Sequence, residues 1–171
     1  MDVYETEKKY LAKKIIKSDL WDREQIVYQW YIEKQGEKAK KIKVIFDLTQ
    51  ARIIYVSVTK EFIDWGKSKK EVEYLDIREF RPNDYINSKF ILKRRSIKNK
   101  VFLDKFIRSN GKTEYLIEDE GDCLVNNPNL WGIELQDVTD NQEYYNEKMC
   151  VDFTENDAEH LSFMLNCFQI I

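Results

Sequence analysis

The stretch Lys41-Ile42-Lys43-Val44-Ile45-Phe46 carries its charge and its apolar bulk on opposite sides of an extended chain. Successive side chains of a β-strand point to opposite faces, so Lys41 and Lys43 share one face while Ile42, Val44 and Phe46 share the other. The same period of two recurs elsewhere. Glu5, Glu7 and Lys9 share a face, Glu71 and Glu73 alternate with Val72 and Tyr74, Lys93 and Arg95 oppose Phe90 and Leu92, and Glu118 and Glu120 form another same-face pair. This alternation predicts strands at about residues 3–11, 25–33, 39–47, 51–60, 69–77, 89–97, 100–108 and 113–120. Asn110-Gly111 is a good turn for the last hairpin.

Helices are the minority. Residues near 12–22 and 79–88 carry helix-compatible patterns, the second with Pro82 near its start, where a missing N–H does little harm. Leu161, Met164, Leu165, Phe168 and Ile171 follow the polar start Thr154-Glu155-Asn156-Asp157 at helical spacing. They predict an amphipathic helix at about 157–171. The fold class is therefore α+β, mainly antiparallel β.

A chain of 171 residues that is 43% apolar supports one domain, taken as 1–171, with a sizeable core. The charged fraction is 35%, yet 13% of the residues are aromatic, too many for a disordered polyampholyte. Much of the charge must sit on ordered elements. A net charge of −3 argues against a general nucleic-acid binder, so any basic site is local. Cys123, Cys150 and Cys167 lack CxxC spacing and are odd in number, which disfavours both a disulfide framework and a zinc site. With no apolar run resembling a signal or a membrane span, the expectation is a cytoplasmic protein without membrane contact. Gly66-Lys67-Ser68 echoes the end of a P-loop, but Glu61 stands where the leading glycine is required. The single histidine, His160, falls on the terminal helix and excludes a credible Ser-His-Asp triad.

Two readings of the charged faces follow. They are the solvated sides of half-buried strands, or they turn inward around a polar lumen while the apolar faces pack beneath outer helices. A lumen of that kind suits a triphosphate, because cationic side chains cradle its oxygens and paired carboxylates hold Mg²⁺ or Mn²⁺.

In chain order, several segments resemble one family. Glu5-Thr6-Glu7-Lys8-Lys9 is similar to the E-x-E-x-K signature of CYTH proteins, the triphosphate tunnel metalloenzymes. Val27-Tyr28-Gln29-Trp30-Tyr31-Ile32 resembles their I-x-Q-G-Y-L strand, and Lys69-Lys70-Glu71-Val72-Glu73-Tyr74 their R-x-E-x-E-Y strand. Leu92-Lys93-Arg94-Arg95 resembles K-x-R, Leu103-Asp104-Lys105-Phe106 resembles I-D-x-F, and Ile117-Glu118-Asp119-Glu120 resembles a late E-x-E pair. Asp137-Val138-Thr139-Asp140 through Tyr144-Tyr145-Asn146 is similar to the closing E-V-T-x-D…Y-x-N. Departures include Lys41 and Lys43 for R-x-R, Lys69 for Arg, Val58 for Thr, Trp30 for Gly and Asp137 for Glu.

The resemblance implies a closed eight-stranded β-barrel, a tunnel with helices packed outside, in a family of inorganic, thiamine and RNA 5′-triphosphatases and class IV adenylyl cyclases. It implies catalytic and metal-binding carboxylates at Glu5, Glu7, Glu118 and Glu120, with Glu71 and Glu73 as further metal ligands. Phosphate-binding cations are implied at Lys9, Lys41, Lys43, Lys60, Lys93 and Arg95. Asp104 fits either a metal ligand or a structural partner of a lysine. The expected function is hydrolysis of a small triphosphate with Mg²⁺ or Mn²⁺, with a class IV-type cyclase or an inactive phosphate-ligand binder as the alternatives. The expected partner is the small-molecule triphosphate, with room for a homodimer.

Overall fold

The computed structural model describes residues 3–12, 21–64, 66–107, 112–121, 135–144 and 148–169, with the backbone alone at Val3, Glu5 and Gln169. The predicted helix near 12–22 and the Asn110-Gly111 turn lie largely or wholly outside these residues. Eleven strands are described: β1 (Val3–Thr6), β2 (Lys8–Ala12), β3 (Arg23–Gln35), β4 (Lys38–Asp47), β5 (Arg52–Asp64), β6 (Lys67–Tyr74), β7 (Lys89–Lys98), β8 (Val101–Ile107), β9 (Thr113–Asp119), β10 (Leu135–Asp137) and β11 (Val151–Asp152). One helix, α1 (Glu155–Gln169), follows.

The sheet runs β1-β6-β5-β4-β3-β7-β8-β9-β2-β10, with β11 beside β7. Among the described residues this hydrogen-bonded order is an open path, so the expected closure into an eight-stranded barrel is not confirmed. The reason lies in the first predicted strand, 3–11, which is two strands. β1 pairs with β6, whereas β2 pairs with β9 on one side and β10 on the other. The chain crosses between the two ends of the sheet at Glu7, whose N–H donates to the Gly66 carbonyl at 2.8 Å. Gly66 has φ +73°, and a Cβ there would stand 2.6 Å from the Glu7 carbonyl oxygen, so this crossing requires glycine.

One face of the sheet carries the main core. Tyr28 and Trp30 from β3, Ile42, Val44 and Phe46 from β4 and Phe90 from β7 pack with Phe153 and with Ala158, Leu161 and Leu165 of α1. Trp30, which stands where the resembled motif has glycine, is fully buried. Its ring lies 4.8 Å from Tyr85, 5.3 Å from Phe153 and 5.5 Å from Phe80, centroid to centroid. The helix starts on a reciprocal cap: the Asp157 N–H donates to Thr154 Oγ1 at 3.2 Å, and the Thr154 N–H donates to Asp157 Oδ2 at 2.8 Å.

The predicted helix at 79–88 is instead two short 3₁₀ turns, Ile77–Glu79 and Pro82–Tyr85. Pro82 separates them, because the residue before a proline is driven out of the helical region, and Arg81 is extended at φ −128°, ψ 107°. These turns still contribute Phe80 and Tyr85 to the core. Among the described residues no helix is long and apolar enough to cross a membrane.

Candidate functional site

The opposite face of the sheet curves around a cavity of about 250 Å³. Parity along the central strands puts charge there. Gln29 pairs across the ladder with Lys43, and Tyr31 with Lys41, so these four side chains share the face opposite the Trp30 core. On the next strand, Val27 is opposite Lys93 and Gln25 is opposite Arg95, which places both cations on the cavity side, away from Phe90 and Leu92. Lys9, Lys41, Lys43, Lys60, Lys93 and Arg95 all line the cavity, as do Glu7, Glu118 and Glu120.

Two devices hold the basic wall in place. Asp104 on β8 is fully buried opposite Arg95, and its Oδ1 and Oδ2 accept from Arg95 Nε and Nη2, each at 2.6 Å. The Lys93 ammonium donates to the same Oδ2 at 3.1 Å. Asp104 is thus the structural partner of a lysine and an arginine. Burial alone would raise its carboxyl, but Arg95 and Lys93 hold it below the usual carboxylate range. Lys9 is held from the other side: its N–H donates to Thr139 Oγ1 at 3.0 Å, and its ammonium donates to the Tyr144 carbonyl at 3.2 Å. The segment Asp137-Val138-Thr139 thereby staples β2, with Val138 buried.

The carboxylates gather where the two ends of the sheet meet. Glu7, at the crossing, and Glu118 and Glu120, from β9 and the residue after it, bring carboxylate oxygens within 4.8 Å of one another. Glu118 is buried and lies 3.2 Å from Arg95 Nη2 and 3.7 Å from Lys9 Nζ. Its burial favours the neutral form, yet Arg95, Lys9, Lys93 and Lys60 together hold it well below the usual carboxylate range. Lys60 approaches Glu7 at 4.0 Å.

Lys43 differs from these. It is half-buried, and among the described residues no carboxylate pairs with it. Burial first, then Lys93, Lys41, Arg95 and Lys70, hold its ammonium well below the ordinary lysine value. Burial and Arg95 also lower Lys93, against the opposing pull of Asp104 and Glu118. Like charges therefore crowd this wall and repel one another.

Two expected metal ligands are elsewhere. Glu71 and Glu73 are exposed and do not line the cavity. In the β5–β6 ladder Lys60 is opposite Lys70, and Thr59 is opposite Glu71. Since Lys60 faces inward, Lys70 does too, and the acidic pair faces out. The side chain of Glu5 lies outside what the structure describes. Gln29, Tyr31, Ser68, Lys70 and Phe102 also line the cavity and were missed from the sequence. Parity with Lys43 and Lys60 would have found Gln29, Tyr31 and Lys70 once the strand pairing was known.

No family model matches the sequence, and no curated protein does. Among solved structures, the chain is similar to one described as the inorganic triphosphatase NE1496, with a TM-score of 0.51 over 89% of this chain and 97% of that one. The two share a fold. Identity to that structure is 15%, so the likeness is one of fold. A second structure, described as the hypothetical protein NE1496, aligns over 84% of this chain and 95% of that one at 16% identity, with a TM-score of 0.49. In this fold the apolar sheet face packs on α1 and the charged face turns to the cavity.

Proposed function

We propose that the protein hydrolyses a small triphosphate held in this cavity, in the presence of Mg²⁺ or Mn²⁺. The observation that carries the reading is the meeting, in one cavity, of a wall of lysines and Arg95 with the three-carboxylate cluster of Glu7, Glu118 and Glu120. A bare anion receptor gains nothing from three carboxylates. The fold shared with a structure described as an inorganic triphosphatase supports the same reading.

The carboxylates fit a divalent ion. Their donors are all oxygen, as Mg²⁺ and Mn²⁺ prefer, and three carboxylates within 4.8 Å repel one another unless a cation or proton intervenes. Glu7, Glu118 and Glu120 would hold the ion, which supplies positive charge against the oxygens of the triphosphate as charge develops on the leaving group. Lys41 and Lys43 from β4 and Lys93 and Arg95 from β7 bind the remaining phosphate oxygens. Asp104 keeps Arg95 oriented, so that its guanidinium offers a fixed direction to phosphate. Lys9 and Lys60 balance the carboxylates from the side of the crossing. In this reading the Glu7 crossing completes the wall, and the working form is a tunnel.

The test is a product assay with purified protein, tripolyphosphate, ATP, GTP and thiamine triphosphate, each with Mg²⁺ or Mn²⁺ and each repeated with excess chelator. Orthophosphate release that stops with chelator is the expected result. Release of pyrophosphate with a cyclic nucleotide would replace hydrolysis by cyclisation, and turnover that persists in chelator would remove the metal.

A further inference from the structure

Gln29 sits on β3 in the cavity wall with 1% of its surface exposed. Its Nε2 donates to Tyr31 Oη at 2.7 Å. Its Oε1 is buried and has no hydrogen-bond partner among the described residues. Two other buried side-chain nitrogens share that condition, Arg23 Nε and Trp30 Nε1, and neither residue lines the cavity.

A buried acceptor of this kind needs a donor. Lys43 is directly across the ladder, and Lys41 stands over the Tyr31 ring at 5.2 Å from its centroid. These cations favour the amide oxygen, rather than its NH₂, on the cavity side, because the NH₂ would present further donors to them. Phosphate oxygens cannot satisfy Oε1, since an ionised triphosphate offers acceptors alone. The one reactant in a hydrolysis that carries O–H donors is water.

We infer that Gln29 Oε1 holds the attacking water, an assignment that rests on the hydrolytic reading above. The water oxygen forms a bond to the terminal phosphorus as the bridging P–O bond breaks, and pyrophosphate leaves with that electron pair. One water proton stays on the orthophosphate, and the other passes to the pyrophosphate. The amide is a positioning acceptor throughout and takes up no proton. Its effect is orientation, which restrains the water lone pair toward phosphorus.

The experiment compares wild type, Gln29→Met and Gln29→Asn on tripolyphosphate with Mn²⁺, with melting curves as the check on folding. Met keeps the length and removes the acceptor, while Asn keeps the amide and withdraws it by one methylene. The expected result is a kcat lowered roughly 10- to 100-fold in the Met variant, the order that misplacement of a reactant costs, with KM within about 2-fold of wild type. Affinity for a non-hydrolysable methylene-bridged triphosphate, read by calorimetry, is expected to stay unchanged, because Oε1 touches no phosphate. A folded Met variant with wild-type kcat overturns the assignment, as does a loss that falls on KM and analogue affinity. If the Met variant fails to fold, the Asn variant decides by the same split. A wild type inert on every triphosphate overturns the hydrolytic reading and this assignment with it, whereas an active wild type with an unaffected Gln29 variant overturns this assignment alone.

Discussion

Asp104 grips Arg95 with both carboxylate oxygens, each at 2.6 Å, from the adjacent strand beneath the cavity wall. It also takes the Lys93 ammonium at 3.1 Å, so one buried carboxylate orients two of the wall's cations. Removing its charge leaves both cations without their main counter-ion. Asp104→Asn keeps the shape and is expected to cost about 3 kcal/mol, which lowers Tm by roughly 6–12 °C in a domain of this size. Tripolyphosphate should restore part of the loss, because its oxygens replace the missing charge. Thermal melts with and without tripolyphosphate check this, and a loss no larger than that of a surface pair would show that the wall does not depend on Asp104.

Lys43 has the opposite sign. Its charge sits among Lys41, Lys70, Lys93 and Arg95, so the empty fold bears a repulsion that an anion relieves. Lys43→Met keeps the length and removes the charge. The expected outcome is a Tm raised by roughly 2–4 °C, the shift that about 1 kcal/mol produces at this size, together with a smaller stabilisation by tripolyphosphate. An unchanged ligand-induced shift would place Lys43 outside the binding wall.

The carboxylate cluster gives a contrast within one chemistry. Glu7→Gln and Glu120→Gln each remove one charge from a group crowded within 4.8 Å, so metal-free stability should rise or stay level while the Tm shift caused by Mn²⁺ shrinks. Turnover should fall by roughly 100-fold or more, as for the loss of a group that stabilises developing charge. Glu71→Gln and Glu73→Gln lie on the exposed face and should leave both measurements unchanged. If the exposed pair mattered as much as Glu7, the outward orientation of β6 would be wrong.

Stability should depend on pH in two windows. Asp104 and Glu118 have folded-state values below their unfolded ones, so they contribute stability that is complete above about pH 4–5 and is lost as pH falls through their folded values. Lys43 and Lys93 are lowered, so the unfolded chain binds more protons at alkaline pH and their cost is relieved as pH rises toward about 10.4. The stability difference between Lys43→Met and wild type should therefore shrink between neutral pH and about pH 10. Denaturant titrations of both proteins across that range read it directly.

The alternation of Lys41 and Lys43 with Ile42, Val44 and Phe46 was sufficient to assign β4 and both of its faces, because a period of two is local and the apolar face must find a core. The same held for Lys93 and Arg95 against Phe90, and for α1, whose cap and apolar spacing are written within one segment. Even so, the choice between a solvated face and a lined cavity needed the curvature of the whole sheet. A strand's own pattern says that two faces differ, not which one turns inward.

Glu71 and Glu73 show where local reading ends. On β6 the alternation sets Glu71 and Glu73 against Val72 and Tyr74, yet Val72 and Tyr74 reach no core and stay exposed, and the pairing of Lys70 with Lys60 turned the acidic face outward. The first strand was similarly ambiguous: nothing in Glu5-Thr6-Glu7-Lys8-Lys9 marks a break, and the break exists because Gly66, distant in the chain, accepts the Glu7 N–H. Asp104 could be weighed as ligand or partner until Arg95 was found across the ladder. The sequence by itself therefore determined the central strands, the terminal helix, their apolar faces and the supply of charge, all of which depend on neighbours along the chain. The tertiary structure alone decided which carboxylates converge with which cations, because that depends on registers between strands that are far apart in sequence.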